Sequence, residues 1–329
     1  MWMMRNVLLA AVASAAMMLP VVGQAAEKLV LYTSQPNQDA QTTVDAFKAA
    51  YPDVEVEWVR DGTTKLMAKL RAEIAAGDPR PDVLLIADTV TLEGMKGEGL
   101  LQAYKSPEAS AYEAALYDAD GYYYSTKLIT TGIVYNTGVE KAPKSWADLA
   151  DPAMKNQVVM PSPLYSGAAL IHLSTLTENK ELGWDYYQAL AANEARAQGG
   201  NGGVFKAVAS GEKPYGVVVD FLAIRGKAEG SPVDFVFPTE GVTYVTEPVA
   251  IMKDAKNVDA AHKFVDFVLS SKGQELVLDM GYVPARGDMA LPEGFPARSD
   301  IKLMDFNPAV ALEQAEANKK KFADIFGAE

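Results

Sequence analysis

Short apolar strands alternating with amphipathic helices predict an α/β fold, and three segments carry that expectation. Residues 28–33 (KLVLYT) form a compact apolar run that Pro36-Asn37 ends. Residues 54–59 alternate Val, Glu, Val, Glu, Trp, Val, the pattern of a half-buried strand. Residues 82–87 (DVLLIA) are apolar nearly throughout, as strands covered on both faces of a parallel sheet are. Between the first two, a helix from about Asp39 carries Ala40, Val44 and Phe47 on one face until Tyr51-Pro52 stops it. Between the second and third, Arg60 to Thr64 make a turn and cap, and Leu66, Met67, Leu70 and Ile74 form a helical stripe up to Gly77-Asp78-Pro79. The opening third is therefore βαβαβ.

The same rhythm continues. Strands are expected at 122–124, 129–135, 157–160, 215–219, 233–237 and 242–249. Helices are expected at 166–176, 181–192, 204–209 and 258–269, and from Pro308 to the C-terminus. The regions 122–135 and 242–251 each follow a Gly-containing turn and are long enough to pass between two bodies. The length of 329 residues fits one large domain or two lobes.

The first residues read as a secretory signal. A short head with Arg5 precedes an apolar run over 7–22, and Gly23-Gln24-Ala25 offers small residues for cleavage after Ala25 or Ala26. The run is shorter than the roughly 20 residues that span a bilayer, and Pro20 interrupts it. A chain without cysteine has no disulfide, no lipid-anchoring thiol and no thiolate metal site. The net charge of −13 argues against nucleic acid and anionic lipid as partners. It leaves room for a small anion, because helix N-termini and backbone amides make a pocket locally positive on an acidic protein.

Ligands of open parallel sheets bind beyond the carboxyl ends of the strands. The residues there are Ser34-Gln35, Arg60 to Thr64, Asp88-Thr89, Ser162 to Gly167 and Asp220. The sharpest of these is SPLYSGAA over 162–169, a strand-loop-helix junction. Its Ser166 is placed as a cap and its Gly167 lets an anion approach the backbone, although a plain serine cap has the same sequence. Asp88 and Asp220 end buried strands; each is either the partner of a cation or the cap of the next helix. Arg60 and Arg225 are candidates for a negative group, and Tyr122 to Tyr124 read as packing residues. Enzyme signatures are absent: the sequence has no GxSxG, HExxH or GxxxxGK[ST], and its two histidines, His172 and His262, lie in apolar helical segments. No catalytic residue, metal ligand or cofactor is assigned.

Five segments in order resemble the periplasmic solute-binding proteins of ABC importers, in the branch that includes the ferric-ion binders. They are LVLYTSQ (29–35), PDVLLIAD (81–88), TTGIVYNTGV (130–139), PKSWADLADPAMKNQVVMPSPLYSG (143–167) and VASGEKPYGVVV (208–219). The resemblance implies the type II periplasmic binding fold, with two lobes of mixed sheet flanked by helices that close on a ligand. It also implies a signal peptide over 1–25, one lobe from 26–126 with 247–300, and the other from 127–246 with 301–329. Ferric members use a histidine after the first strand and paired tyrosines after the strand ending near Val219. This chain has Pro36 and Phe221-Leu222 there, so iron is not expected. The Ser-Gly-Ala helix start that holds a companion anion is retained as Ser166-Gly167-Ala168.

The runs at 32–47 and 54–73 further resemble 2-aminoethylphosphonate-binding proteins. That implies a monomeric carrier delivering a phosphonate to a membrane permease. The phosphonate would be held by Ser166, Gly167, Ala168, Ser34, Gln35, Thr63 and Thr64, and the amine by Asp88 or Asp220. The alternatives are a sugar phosphate or other organophosphate as ligand or, from a different class, an extracytoplasmic enzyme acting on phosphoesters.

Overall fold

The computed structural model describes residues 27–289, 291, 295–296 and 300–327. The signal segment read over 1–25 lies outside the described residues. The chain begins with β1 (Glu27–Thr33), α1 (Asn37–Ala50), β2 (Val54–Arg60), α2 (Thr63–Ala75), β3 (Val83–Leu85), α3 (Thr89–Gly97), β4 (Leu101–Gln102) and β5 (Tyr123–Tyr124). A ten-residue strand, β6 (Lys127–Asn136), starts the second body. There follow α4 (Trp146–Ala150), β7 (Val158–Met160), α5 (Gly167–Glu178), α6 (Gly183–Ala192), β8 (Arg196–Ala197), α7 (Asn201–Ala209), β9 (Tyr215–Val219), α8 (Asp220–Ala228), β10 (Val233–Val236) and β11 (Thr243–Val245). The remainder is β12 (Val249–Met252), α9 (Val258–Leu269), α10 (Ser271–Asp279), β13 (Val283–Pro284) and α11 (Pro308–Phe326).

Two mixed sheets result, one per lobe. The first has the order β2-β1-β3-β12-β4 with β5 beside β12; β1 runs parallel to β2 and β3, and β12 runs antiparallel to its neighbours. The second has the order β10-β6-β9-β7-β8, with β11 and β13 also on β6. The chain passes between the sheets at residues 125–126, again at 246–248, and a third time after β12, when β13 returns to β6. The second passage corrects the single strand expected over 242–249. Thr246-Glu247-Pro248 break it into β11 in one sheet and β12 in the other, and Glu247 has φ of +39°.

Period-two alternation explains how each sheet holds its helices. Leu29, Leu31, Val83, Leu85, Val249 and Ile251 pack on Phe47 of α1 and Phe264 and Val268 of α9. The intervening Tyr32, Leu84, Ile86, Ala250 and Met252 pack on Leu66 and Leu70 of α2 and Leu92 and Met95 of α3. In the second lobe Ile133, Val158, Met160 and Val217 face Trp146, Leu149 and Leu173, while Val134, Val159 and Val218 face Val204, Val208 and Ala223. The SWADLADP run at residues 145–152 is architectural. Ser145 and Asp148 form a capping box, Trp146 is fully buried with Nε1 donating to Gly241 O at 2.9 Å, and Asp151 caps the next turn.

A fifth apolar cluster lies between the lobes, joining Val90, Ile129, Ala168, Ile171, Val219, Phe221, Val245, Tyr282 and Ala311. The C-terminal α11 rests on both bodies, against α3 of the first and α5 and α6 of the second. Four helices escaped the sequence reading: α3 and α8, which start at Thr89 and Asp220 directly after strands, and the short α4 and α10.

Candidate functional site

The first turns of four helices line one cavity of about 260 Å³ between the sheets. Gly62 and Thr63 come from α2, Ser166 to Ala168 from α5, Gly200 to Gly203 from α7, and Phe221 and Leu222 from α8. A helix leaves its first N–H groups without intrahelical partners, and its dipole places partial positive charge there. Gly62, Gly200 and Val219, the N-caps of α2, α7 and α8, supply no side-chain cap that would use those donors.

The side chains around the cavity reinforce this polarity. Ser34 Oγ accepts from Ala87 N at 2.9 Å, and Ser166 Oγ accepts from Ala169 N and Asn201 Nδ2, both at 3.3 Å. Each serine oxygen is thus used as an acceptor within the protein, which leaves its hydroxyl proton to donate into the cavity. Arg60 lines the same space, held by Nε donating to the Gln35 carbonyl at 2.6 Å and by Nη2 toward Ser34 O at 3.5 Å. Ile129, Val219, Phe221, Leu222 and Val245 supply apolar wall. The arrangement suits a compact oxyanion with an organic substituent, held in a cleft between two lobes.

The chain belongs to the bacterial extracellular solute-binding proteins. The family matches over residues 78–309, and the two-lobed α/β architecture is that of type II periplasmic binding proteins. A Haemophilus influenzae protein named only as uncharacterized is 31% identical over 313 residues, 90% of this chain and 89% of that one. The putrescine/cadaverine-binding protein of Pseudomonas aeruginosa is 29% identical over 284 residues, 78% of this chain and 79% of its own. Among solved structures, the periplasmic binding protein AfuA from Actinobacillus pleuropneumoniae, with exogenous fructose-6-phosphate bound, aligns with a TM-score of 0.83 at 25% identity. The alignment covers 92% of this chain and 99% of that one. This chain is accordingly an extracellular solute-binding protein.

The lobes of this solute-binding protein touch at the cleft. Thr64 Oγ1 donates to Pro163 O at 3.2 Å across the gap. The Tyr165 ring of the second lobe lies so close to Gly62 of the first and Gly200 of its own that a Cβ on either would meet the ring at 2.6 and 2.8 Å. Gly167 is pressed against Ala87 O and Thr63, so its missing side chain serves lobe contact as well as any ligand.

Of the residues singled out from the sequence, Ser34, Thr63, Ser166, Gly167 and Ala168 line the cavity, as do Arg60, Pro36, Phe221 and Leu222. Thr64 is used in the lobe contact just described. Gln35 is buried behind the wall, where its side chain favours the charged form of Glu247. Asp88 and Asp220 do not line the cavity; Asp88 acts within its own helix, and Asp220 ties the start of α8 to β6. Asp88 caps α3, accepting from Thr91 N at 3.1 Å and from the Thr91 hydroxyl, and burial pushes its carboxyl up. Asp220 accepts from Thr130 N at 2.9 Å, Thr130 Oγ1 at 2.7 Å and Phe221 N at 2.7 Å, and burial raises it to about 6. Arg225 is spent on Asp39, with two bonds of 3.1 Å from α8 to α1 across the lobes.

His172 is buried against Trp146 with Nδ1 2.9 Å from Thr243 Oγ1, and burial lowers it to about 3. His262 stacks on Tyr104 at 3.9 Å.

Three contributors were not picked out from the sequence: Tyr165, the Gly200 to Gly203 turn and Glu247. The run GGNGGV at 199–204, after a strand and opening a helix, carried a usable signal for the second of these. Glu247 carried none, because it sits inside a stretch that alternates like a strand.

Proposed function

We propose that this protein captures a small phosphonate, 2-aminoethylphosphonate in particular, in the periplasm and presents it to the permease of its importer. One observation carries the reading. Four helix N-termini, two serine hydroxyls with protons left to donate, and Arg60 face a single cavity. A phosphonate has three oxygens to accept those bonds, and charge-assisted bonds of this kind are about twice as strong as neutral ones. The resemblance of residues 32–47 and 54–73 to aminophosphonate binders supports the choice within the anion class.

The two lobes are assigned as 26–126 with 247–300 and 127–246 with 301–329, except that β13 reaches across to β6 of the second, and the protein acts as a monomer after removal of residues 1–25. A sugar phosphate is the second reading, favoured by the likeness to AfuA with fructose-6-phosphate bound. The oxyanion site would be the same, and the organic part would decide.

Calorimetric titration of the mature protein with 2-aminoethylphosphonate, fructose-6-phosphate, inorganic phosphate and Fe³⁺ separates these. Tightest binding of the aminophosphonate, with the ligand recovered unchanged, is the expected result. A preference for the sugar phosphate would install the second reading, turnover would make the protein an enzyme, and a response to iron alone would remove the oxyanion assignment.

A further inference from the structure

Glu247 is the one carboxylate among the described residues that line the cavity. It is 2% exposed, so the chain has placed a buried acid beside a site otherwise built from donors. A buried carboxylate is costly unless its oxygens are met, and it offers about four acceptor positions. Lys127 is the ion-pair partner of Glu247, with Nζ 2.5 Å from Oε2, and that contact occupies only part of the carboxylate's acceptor capacity. Lys127 also lies over the Tyr282 ring, 4.1 Å from its centroid. On the other side the buried Gln35 side chain favours the charged form of the carboxylate. Acceptor capacity is therefore left over on a side chain that lines the cavity.

The backbone points the same way. Glu247 has φ of +39°, a conformation that costs a non-glycine residue on the order of 1 kcal/mol or more and persists only where surroundings enforce it. The Thr126 hydroxyl, bonding to the Glu247 carbonyl at 2.7 Å, is one such restraint. A glycine would sit there without strain, yet the position carries an acid.

We propose that Glu247 receives the ammonium group of a zwitterionic ligand, and so separates aminophosphonates from amine-free phosphonates and phosphate esters. This rests on the oxyanion reading above and adds the second pole. Ligand ammonium meets Glu247 at the crossing between the lobes, and ligand oxyanion meets the helix N-termini. Gln35 is a positioning residue for the carboxylate. Asp88, committed to its own helix, and Asp220, committed to Thr130 and Phe221, take no part.

The test is calorimetric titration of the mature protein with 2-aminoethylphosphonate and ethylphosphonate, which differ only in the amine. It uses the wild type, Glu247→Gln, and the double variant Lys127→Met/Glu247→Gln, in which no buried lysine is left without its counter-ion. The wild type is expected to prefer the amino compound by roughly 10- to 100-fold, the value of one charge-assisted bond. Both variants are expected to bring that ratio close to one while ethylphosphonate affinity stays within a few-fold. Equal binding of the two ligands by the wild type, or a preference that survives in the variants, overturns the role of Glu247 and leaves the oxyanion site standing. Failure of the wild type to bind either phosphonate overturns the oxyanion site, and this inference falls with it.

Discussion

Replacing Gly167 by alanine tests whether the cleft must close to bind. The added methyl would lie 2.6 Å from Ala87 O and 2.9 Å from Thr63 Cβ and Oγ1, all of them on the opposite lobe. A backbone carbonyl cannot swing aside, so the lobes must part by roughly half an ångström before the methyl fits. Overpacking of this kind costs about 1–3 kcal/mol, and here it falls only on the closed form. The dissociation constant should therefore rise by about 5- to 150-fold. The open form escapes the clash, and alanine is better than glycine in a helix by up to about 1 kcal/mol, so the ligand-free protein should melt no lower than wild type. Titration calorimetry gives the first quantity and a ligand-free thermal melt the second. Unchanged affinity, or a melting temperature that falls without ligand, would refute the claim that Gly167 matters through lobe contact.

Three more outcomes follow from the buried polar groups. Asp220 is raised to about 6 from 3.8, so its contribution to stability is lost as pH rises from about 4 to about 6; His172 is lowered to about 3 from 6.5, so its contribution is lost as pH falls through that range. The two slopes oppose each other, and Asp220→Asn should make urea stability fall more steeply on acidification from pH 6 to pH 4, by up to about 1.4 kcal/mol per unit; a profile parallel to wild type would contradict this. Asp88→Ala should cost about 0.5–2 kcal/mol in denaturant melts through loss of the α3 cap, with ligand affinity unchanged within twofold in the same preparation. Lys127→Met should destabilise by about 3–5 kcal/mol by leaving Glu247 buried without its counter-ion, and adding Glu247→Gln should recover most of that loss; denaturation of the two variants side by side checks it.

Much of the framework was legible because local pattern and tertiary role agree in it. The VEVEWV alternation and the fully apolar VLL reflect the two faces that each strand covers, and the stripe of Ala40, Val44 and Phe47 is the face α1 buries. Ser166 was readable as a cap because a strand led into it and an apolar helix followed. The helix α8 was not, because Asp220 follows β9 without any turn residue between strand and helix. The break at Thr246 to Pro248 was hidden for a related reason. Valine, tyrosine and valine continue the strand pattern on either side, and only the geometry of passing from one sheet to another forces Glu247 to positive φ. The carboxylates went astray because sequence gives the end of a strand but not the direction of a side chain. Asp88 turns into its own helix, and Asp220 turns to Thr130 of β6 and to the first N–H of α8.

The C-terminal helix α11 braces one body against the other, with Leu312 set beside Gly94 on one side and Ala311 packed with Ala168 and Ile171 on the other. Of the four helix starts at the cavity, those of α5, α7 and α8 belong to one body and only that of α2 to the other. Three of the four donor sets therefore keep their mutual aim whatever the cleft does, and the fourth is added when the two bodies meet.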